Sequence, residues 1–337
     1  MSIPKKIRHI TVLGDGGWGT TLSVHLARKN LCVSLWGPFP DYIRAMRRSR
    51  VNPKFLPGIK IPSHVVCEEN LKIALGKADL IVLAVPSQYI VSTLKKIKLT
   101  RISLKNKIIL SVIKGIDTKT LLRMSQIIEK ELGKCRLAVL SGPTIASEVA
   151  RGIPTTAVIS SQNLGLAKKL QRIFNSRTFR IYTNTDVVGV ELGGSLKNII
   201  ALACGICDGL GFGTNTKSAI LTRGLAEMAR LGKAMGAQTQ TFYGLTGLGD
   251  LVTTCMSPSS RNRSVGEKLG KGKSIKSITS RMEMVAEGVP TVKAAYQLSK
   301  RYKVSMPITE EVYNIIYKNK NPLRAVQHLM TRQVKSE

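Results

Sequence analysis

A run of β-formers, Ile10-Thr11-Val12-Leu13, leads without a break into Gly14-Asp15-Gly16-Gly17-Trp18-Gly19. A stretch reaching Asn30 follows, in which Leu22, Leu26 and Ala27 recur at helical spacing. The order is strand, glycine turn and amphipathic helix, the context in which G-x-G-x-x-G reads as a dinucleotide site. Gly14 permits a tight turn, Gly16 lets backbone N–H groups approach a pyrophosphate, and Gly19 lets helix and strand pack closely. The phosphates would sit at the helix N-terminus, where unpaired N–H groups and the helix dipole favour an anion. The plainer alternative is a glycine-rich turn with no ligand. Asp15 is out of character, because it puts a carboxylate in a loop built for anions.

The alternation continues downstream. Cys32 to Trp36, Leu80 to Val85, Lys107 to Val112, Arg136 to Leu140, Thr155 to Ser160 and Thr178 to Tyr182 read as strands. Helical stretches separate them, among them Thr120 to Leu132 and Leu164 to Phe174. Such alternation predicts an α/β domain with a doubly wound, mostly parallel sheet, whose ligands bind beyond the strand C-termini. After about residue 187 the strand signal fades. Val188 to Gly209, Ser218 to Met235, Arg263 to Leu269, Thr291 to Arg301, Thr309 to Tyr317 and Leu323 to Thr331 read as helices, jointed at Pro307, Pro322 and several glycines. The expected division is therefore a dinucleotide-binding domain over residues 1–187 and an all-helical substrate-binding and catalytic domain over 188–337. The cleft between them is the expected site.

A chain of 337 residues is long enough for two such cores. Its net charge of +32 raises the question of a nucleic-acid or membrane partner. The basic residues are spread along the whole chain and are not interleaved with aromatics, so a solvated basic surface is the simpler reading. A positive field that steers anionic substrates is the sharper one. The start MSIPKKIRHI carries no apolar signal core, and the end TRQVKSE carries no lipidation motif. The longest apolar stretches, Leu80 to Val85 and Ile199 to Ile206, read as too short to span a bilayer, so a cytoplasmic protein is expected. Cys204-Gly205-Ile206-Cys207 has redox or half-site spacing, but nothing in the sequence completes a metal site. Its apolar surroundings point to core packing, and no metal is expected.

Three polar clusters stand in the helical half. Glu191-Leu192-Gly193-Gly194-Ser195-Leu196-Lys197-Asn198 opens a long helix, and Lys197 interrupts its apolar face. A buried lysine serves as an acid or base, whereas a lysine that snorkels outward is merely solvated. Gly244 to Leu251 is a glycine-rich loop that ends in Asp250, between Gly249 and Leu251. An N-cap is its plainer role. Ser260-Arg261-Asn262-Arg263 sets a hydroxyl, guanidinium and amide in a row, suited to a phosphate, or else forms a polar loop.

Taken together, these segments resemble the NAD(P)-dependent glycerol-3-phosphate dehydrogenase family in its bacterial form. The agreement also takes in Asn52 to Gly58, Val85-Pro86-Ser87, Lys114-Gly115, Ser141-Gly142-Pro143-Thr144, Thr222 to Met228, Glu287-Gly288 and Met306 to Thr309. The resemblance implies a Rossmann-type sheet followed by helices, and NAD or NADP as cofactor. It also implies reversible hydride transfer to C2 of dihydroxyacetone phosphate, giving sn-glycerol 3-phosphate for glycerophospholipid synthesis. In this likeness Lys197 is the general acid/base. Lys114, Gly142, Thr144, Asp250, Ser260, Arg261 and Asn262 are substrate contacts. The cofactor falls to Gly14, Gly16, Gly17, Trp18, Gly19, Pro38, Lys114, Ala146, Arg261, Val285 and Glu287. A homodimer is expected, and no nucleic acid.

The chain departs from the family pattern in two places. A small apolar residue is usual at Asp15 and serine is frequent at Gly17, so Asp15 is expected to turn from the pyrophosphate or to pair with a cation. After the second strand, Gly37-Pro38-Phe39-Pro40 offers neither the acid of an NAD enzyme nor the base of an NADP enzyme. Asp41 and Arg44 come slightly late. A related hydroxy-acid or 6-phosphogluconate-type dehydrogenase is the nearest alternative, and a non-catalytic nucleic-acid-binding protein on the same fold is the distant one.

Overall fold

The computed structural model describes residues 7–280, 282 and 285–334. The first residues of the basic N-terminal segment and the last three of the C-terminal stretch lie outside it. The chain divides into two compact units. The first takes the chain up to Lys114 together with Met124–Val187, and the second takes Gly115–Arg123 together with the chain from Val188 on.

In the first unit the strands are β1 (His9–Leu13), β2 (Cys32–Trp36), β3 (Val51–Asn52), β4 (Leu56–Lys60), β5 (Val66–Glu68), β6 (Leu80–Leu83), β7 (Ile108–Ser111), β8 (Arg136–Ser141), β9 (Thr155–Ser160) and β10 (Phe179–Asn184). β3 and β4 form a small antiparallel ribbon, and the other eight make one sheet in the order β10-β9-β8-β7-β6-β1-β2-β5. Its neighbours run parallel except β8 and β9. Leu80-Ile81-Val82-Leu83 and Ile108-Ile109-Leu110-Ser111 are buried at every position, as parallel strands covered on both faces must be. β2 lies on one side of β1 and β6 on the other, so the glycine loop leaves β1 at the topological switch point.

The helices of this unit are α1 (Gly17–Ala27), α2 (Pro40–Ser49), α3 (Leu71–Gly76), α4 (Ile90–Leu99), α5 (Met124–Leu132), α6 (Ala146–Arg151) and α7 (Leu164–Phe174). α1 is not the amphipathic helix that its spacing predicts, for every residue from Gly19 to Ala27 is buried. Thr21 Oγ1 donates to the Ala146 carbonyl of α6, and His25 Nε2 donates to the Phe174 carbonyl of α7. Polar residues on the side away from the sheet are thus enclosed by partners instead of facing water.

The second unit is built from α8 (Val187–Gly209), α9 (Thr214–Ala234), α10 (Thr239–Tyr243), a π-helical turn at Leu245–Gly249, α11 (Asp250–Met256), α12 (Arg261–Gly270), α13 (Ile275–Thr279), α14 (Gly288–Arg301), α15 (Pro307–Lys318) and α16 (Pro322–Met330). α8 corrects one expectation: at 23 residues and a mean hydropathy of 1.5 it is long and apolar enough to cross a bilayer. It is instead the core of its unit, with 89% of that apolar window buried. Cys204 and Cys207 are buried free thiols on it. Beside them, a β-carbon at Gly205 would stand 2.0 Å from the Arg263 carbonyl, and one at Gly266 would stand 2.1 Å from the Leu202 carbonyl. The glycine between the cysteines therefore belongs to a close-packed α8–α12 seam, while Cys204 meets Cys255 of α11.

Gly115–Arg123 groups with the helices, although the sequence reading places it inside residues 1–187. The reason is apolar and ionic at once. Ile116 is buried in the helical core and Leu121 packs on it, while the Arg123 guanidinium pairs with Glu191 of α8.

One buried carboxylate explains two matched segments. Glu227 of α9 is 1% exposed and accepts from the Ile308 and Thr309 N–H groups and from Thr309 Oγ1, at 2.6, 3.1 and 3.0 Å. It so satisfies N–H groups of the first turn of α15. Glu227→Gln turns an NH2 toward one of these donors, and we expect a loss of about 1–3 kcal/mol in denaturant unfolding near pH 5. Burial pushes the Glu227 carboxyl from its usual 4.5 up to about 7, against those same hydrogen bonds. A carboxyl raised by folding stabilises fully below its unfolded value and loses that contribution as pH climbs through about 7. The gap between wild type and Glu227→Gln is expected to narrow from pH 5 to pH 8, and an unchanged gap would contradict this assignment.

Candidate active site

The glycine loop is shaped by close approaches that a side chain would block. Gly14 has φ +123°, and a β-carbon there would lie 2.7 Å from the Ala84 backbone. At Gly19 it would lie 1.9 Å from the Gly14 carbonyl, and at Gly17, 2.6 Å from the Phe55 carbonyl. The last contact leaves no room for a side chain at Gly17. Gly16 differs, with nothing within 4 Å of a β-carbon. It caps α1, whose first turn has no acidic residue and no side-chain cap. The N–H groups of that turn lack helical acceptors, and the space at Gly16 is open. These residues fit the pyrophosphate of NAD or NADP.

Trp18 is half-buried, with its ring edge-on to Phe179 at 6.3 Å. Ala146 opens α6, and its β-carbon stands 3.8 Å from the position a Gly17 side chain would take. Pro38 is exposed in the bend after β2. Asp15 pairs with no cation among the described residues: it is 7% exposed, and its Oδ2 is buried with no hydrogen-bond partner. Burial pushes its carboxyl above the usual range, offset in part by a backbone hydrogen bond. Its own carbonyl is held by Asn52 Nδ2 at 2.7 Å, which gives the Asn52 to Gly58 segment a role in fixing the loop.

Beyond β7 and β8, three substrate candidates converge. Lys114 Nζ and Thr144 Oγ1 both donate to the Gly142 carbonyl, at 2.9 and 3.1 Å. Gly142 has φ +138°, a conformation that favours glycine, and a β-carbon there would meet Ala157 at 3.0 Å. The ammonium is thus held at the Gly142 peptide.

In the second unit Lys197 does not snorkel to the surface. It is 6% exposed on α8, and its Nζ donates to Asp250 Oδ1 at 2.5 Å and to Thr254 Oγ1 at 2.6 Å. Thr254 Oγ1 in turn donates a hydrogen bond to the Asp250 carbonyl at 2.7 Å. The sequence reading missed Thr254. Its signal is the i,i+4 spacing from Asp250, which puts both on one face of α11. Asp250 is delivered by the π-turn, a form frequent at functional sites. That turn packs tightly: a β-carbon at Gly193 of α8 would stand 2.5 Å from the Thr246 carbonyl, and one at Gly247, 2.0 Å from the Phe242 carbonyl.

The Ser-Arg-Asn cluster is less open than its composition suggests. Ser260 caps α12, its Oγ accepting from the Arg263 N–H at 3.3 Å. Asn262 is buried and ties three segments, donating to Asn198 Oδ1 and accepting from the Gly288 N–H, each at 2.9 Å. Arg263 pairs with Asp208, which also holds Lys217. Arg261 is exposed and donates to the Val285 carbonyl at 2.9 Å, and it feels the charge of Glu287. Arg261, Val285 and Glu287 therefore stand together.

A glycine loop at the switch point of a doubly wound sheet, with a buried lysine–carboxylate pair in an all-helical unit, defines a nicotinamide-dependent dehydrogenase. The family of NAD-dependent glycerol-3-phosphate dehydrogenases matches over both parts, its N-terminal region at residues 9–167 and its C-terminal region at 186–327. The chain belongs to that family. It is 49% identical over 331 residues to a glycerol-3-phosphate dehydrogenase (NAD(P)+) of Prosthecochloris aestuarii, covering 97% of this chain and 99% of the relative. The crystal structure of glycerol-3-phosphate dehydrogenase from Coxiella burnetii superposes with a TM-score of 0.92 at 36% identity, covering 97% and 99% of the two chains. That of Plasmodium falciparum glycerol-3-phosphate dehydrogenase gives 0.88 at 27% identity, covering 98% and 97%.

Proposed function

We propose that this chain catalyses reversible hydride transfer between NAD(P)H and dihydroxyacetone phosphate, giving sn-glycerol 3-phosphate for glycerophospholipid synthesis. The observation that carries the reading is Lys197, an ammonium buried in the helical unit and aimed by Asp250 and Thr254. The bound nicotinamide supplies the hydride to C2, or takes it back. As the C2 carbonyl π bond breaks, negative charge gathers on its oxygen, and Lys197 both stabilises that charge and gives up a proton to it. In the reverse direction Lys197 takes the proton from the C2 hydroxyl. Asp250 and Thr254 orient the ammonium.

Lys114, Gly142 and Thr144 contact the substrate, and Lys114 also reaches the cofactor. Ser260, Arg261 and Asn262 serve the phosphate end, where the planar guanidinium suits phosphate oxygens. The cofactor takes Gly14, Gly16, Gly17, Trp18 and Gly19 at its pyrophosphate, and Pro38, Ala146, Arg261, Val285 and Glu287 along its length. In this reading the first unit holds the dinucleotide and the helical unit carries the proton chemistry.

Six cysteines stand as free thiols, which supports a reducing, cytoplasmic setting. We infer a homodimer from the family resemblance, and no nucleic acid as partner. If the dispersed charge of +32 steers an anionic substrate and cofactor, the rate at low substrate falls as salt rises, and a flat salt response means a merely solvated basic surface. The test is oxidation of NADH and of NADPH with dihydroxyacetone phosphate. Turnover with at least one cofactor is expected, and a folded protein that turns over neither would overturn the reading.

A further inference from the structure

The basic charge of this chain has a gap. Lys and Arg number 52 in 337 residues, yet none falls between Lys233 and Arg261, the longest such interval in the sequence. The only charged residue of that interval is Asp250, which is buried. The interval takes in the end of α9, then α10, the π-turn and α11. Its surface is neutral and in part apolar: Tyr243, Leu248, Val252 and Met256 are 56%, 41%, 40% and 46% exposed. Leu248, Val252 and Met256 recur four apart, so they form one stripe along the π-turn and α11. Asp250 and Thr254 alternate with them and hold Lys197, so the stripe occupies the opposite side of α11 from the catalytic pair. The other exposed side chains of the interval, among them Gln238, Gln240 and Ser259, carry no charge.

Several other exposed apolar side chains stand among cations. Leu99 lies between Lys98 and Arg101, Tyr302 between Arg301 and Lys303, and Leu323 next to Arg324. A contiguous apolar stripe in uncharged polar surroundings is instead the mark of an interaction surface. The charge of the chain decides the occupant. An acidic partner gains most on the cationic faces and nothing on this one. Two copies of this chain, each at +32, repel wherever their lysines and arginines face one another. A face free of cations is where such copies can meet, and a two-fold axis lays the stripe of one on the stripe of the other.

We propose that the neutral face of α10, the π-turn and α11 is the isologous contact of a homodimer, with Leu248, Val252 and Met256 of one copy packed on the same residues of the other. The inference rests on the homodimer reading and deepens it by naming the surface. The helix that carries Asp250 and Thr254 is then braced from outside by the second copy, while its inner side holds Lys197.

The test is sedimentation velocity of the full chain at micromolar concentration. Wild type is expected to sediment as a dimer, at twice 36.8 kDa. The contact is uncharged and the remaining surface repels, so raising salt from about 50 mM to about 500 mM is expected to tighten the dimer. Val252→Lys and Met256→Lys each bring a cation against its own image, and each is expected to raise the dissociation constant at least about 100-fold. Leu99→Lys makes the same kind of exchange on α4, where Leu99 is 80% exposed, and is expected to leave the dimer intact. Circular dichroism and thermal unfolding check that the variants fold. Should Val252→Lys not fold, Met256→Lys, at the last residue of α11, carries the test. A monomeric wild type would overturn the homodimer reading and this face together. A wild-type dimer that survives both lysine substitutions in α11 would overturn the face alone, and so would a dimer that loosens as salt rises.

Discussion

Lys197→Ala lowers kcat by about 100- to 10,000-fold while NADH or NADPH still binds. The expectation follows from where the ammonium is held. A lysine on an exposed helix face spends its charge on water, whereas Lys197 is 6% exposed and fixed by two oxygens, Asp250 Oδ1 and Thr254 Oγ1. Its proton is therefore positioned before the C2 oxygen needs it, so its loss falls on the chemical step rather than on binding. Steady-state kinetics and a separate cofactor titration check this split. A kcat close to wild type would remove Lys197 from the acid/base role. A lost cofactor affinity would mean that the substitution had disturbed the fold instead.

Asp250→Ala is the second large effect, and it acts first on stability. Asp250 is 1% exposed, so its removal leaves the Lys197 ammonium buried without its counter-ion. Breaking one partner of such a pair costs about 3–5 kcal/mol. Denaturant unfolding measures that loss, and kcat falls with it because Thr254 alone does not fix the ammonium. The double substitution Lys197→Met with Asp250→Leu separates the two consequences. It removes both charges together, so much of the stability returns, yet the enzyme stays inactive. An Asp250→Ala variant as stable as wild type would show that the pair is not the buried contact described above.

How much of this was legible in the sequence depended on how local each feature is. The strands Cys32–Trp36 and Thr155–Ser160 and the helix Leu164–Phe174 have the bounds that their patterns predict. Short-range periodicity and turn chemistry decide such elements. The glycine loop was legible for the same reason. Lys197 and Asp250 were each conspicuous, but their contact spans 53 positions and no local pattern encodes it. Thr254 was hidden among ordinary helix residues until that contact showed which face of α11 matters.

Other features were misread because tertiary partners override local preference. α1 looks amphipathic, but α6 and α7 enclose the face that the pattern left for water. Arg263 looks like part of a phosphate cluster, yet Asp208, 55 positions away, takes its guanidinium. Gly37 looked like a missing acid, and only the Asp15 carboxyl beside it shows why glycine stands there.

The central claim is a hydride carried from the nicotinamide to C2 of a phosphorylated three-carbon ketone, with Lys197 supplying the proton. Deuterium transfer tests it most directly. NADH or NADPH carrying deuterium on the transferred face of C4 is incubated with dihydroxyacetone phosphate and the chain, and the product is read by NMR. The account predicts sn-glycerol 3-phosphate bearing deuterium at C2, formed far more slowly by Lys197→Ala. Product without deuterium at C2 from either cofactor face, or no product from folded wild type, would contradict it.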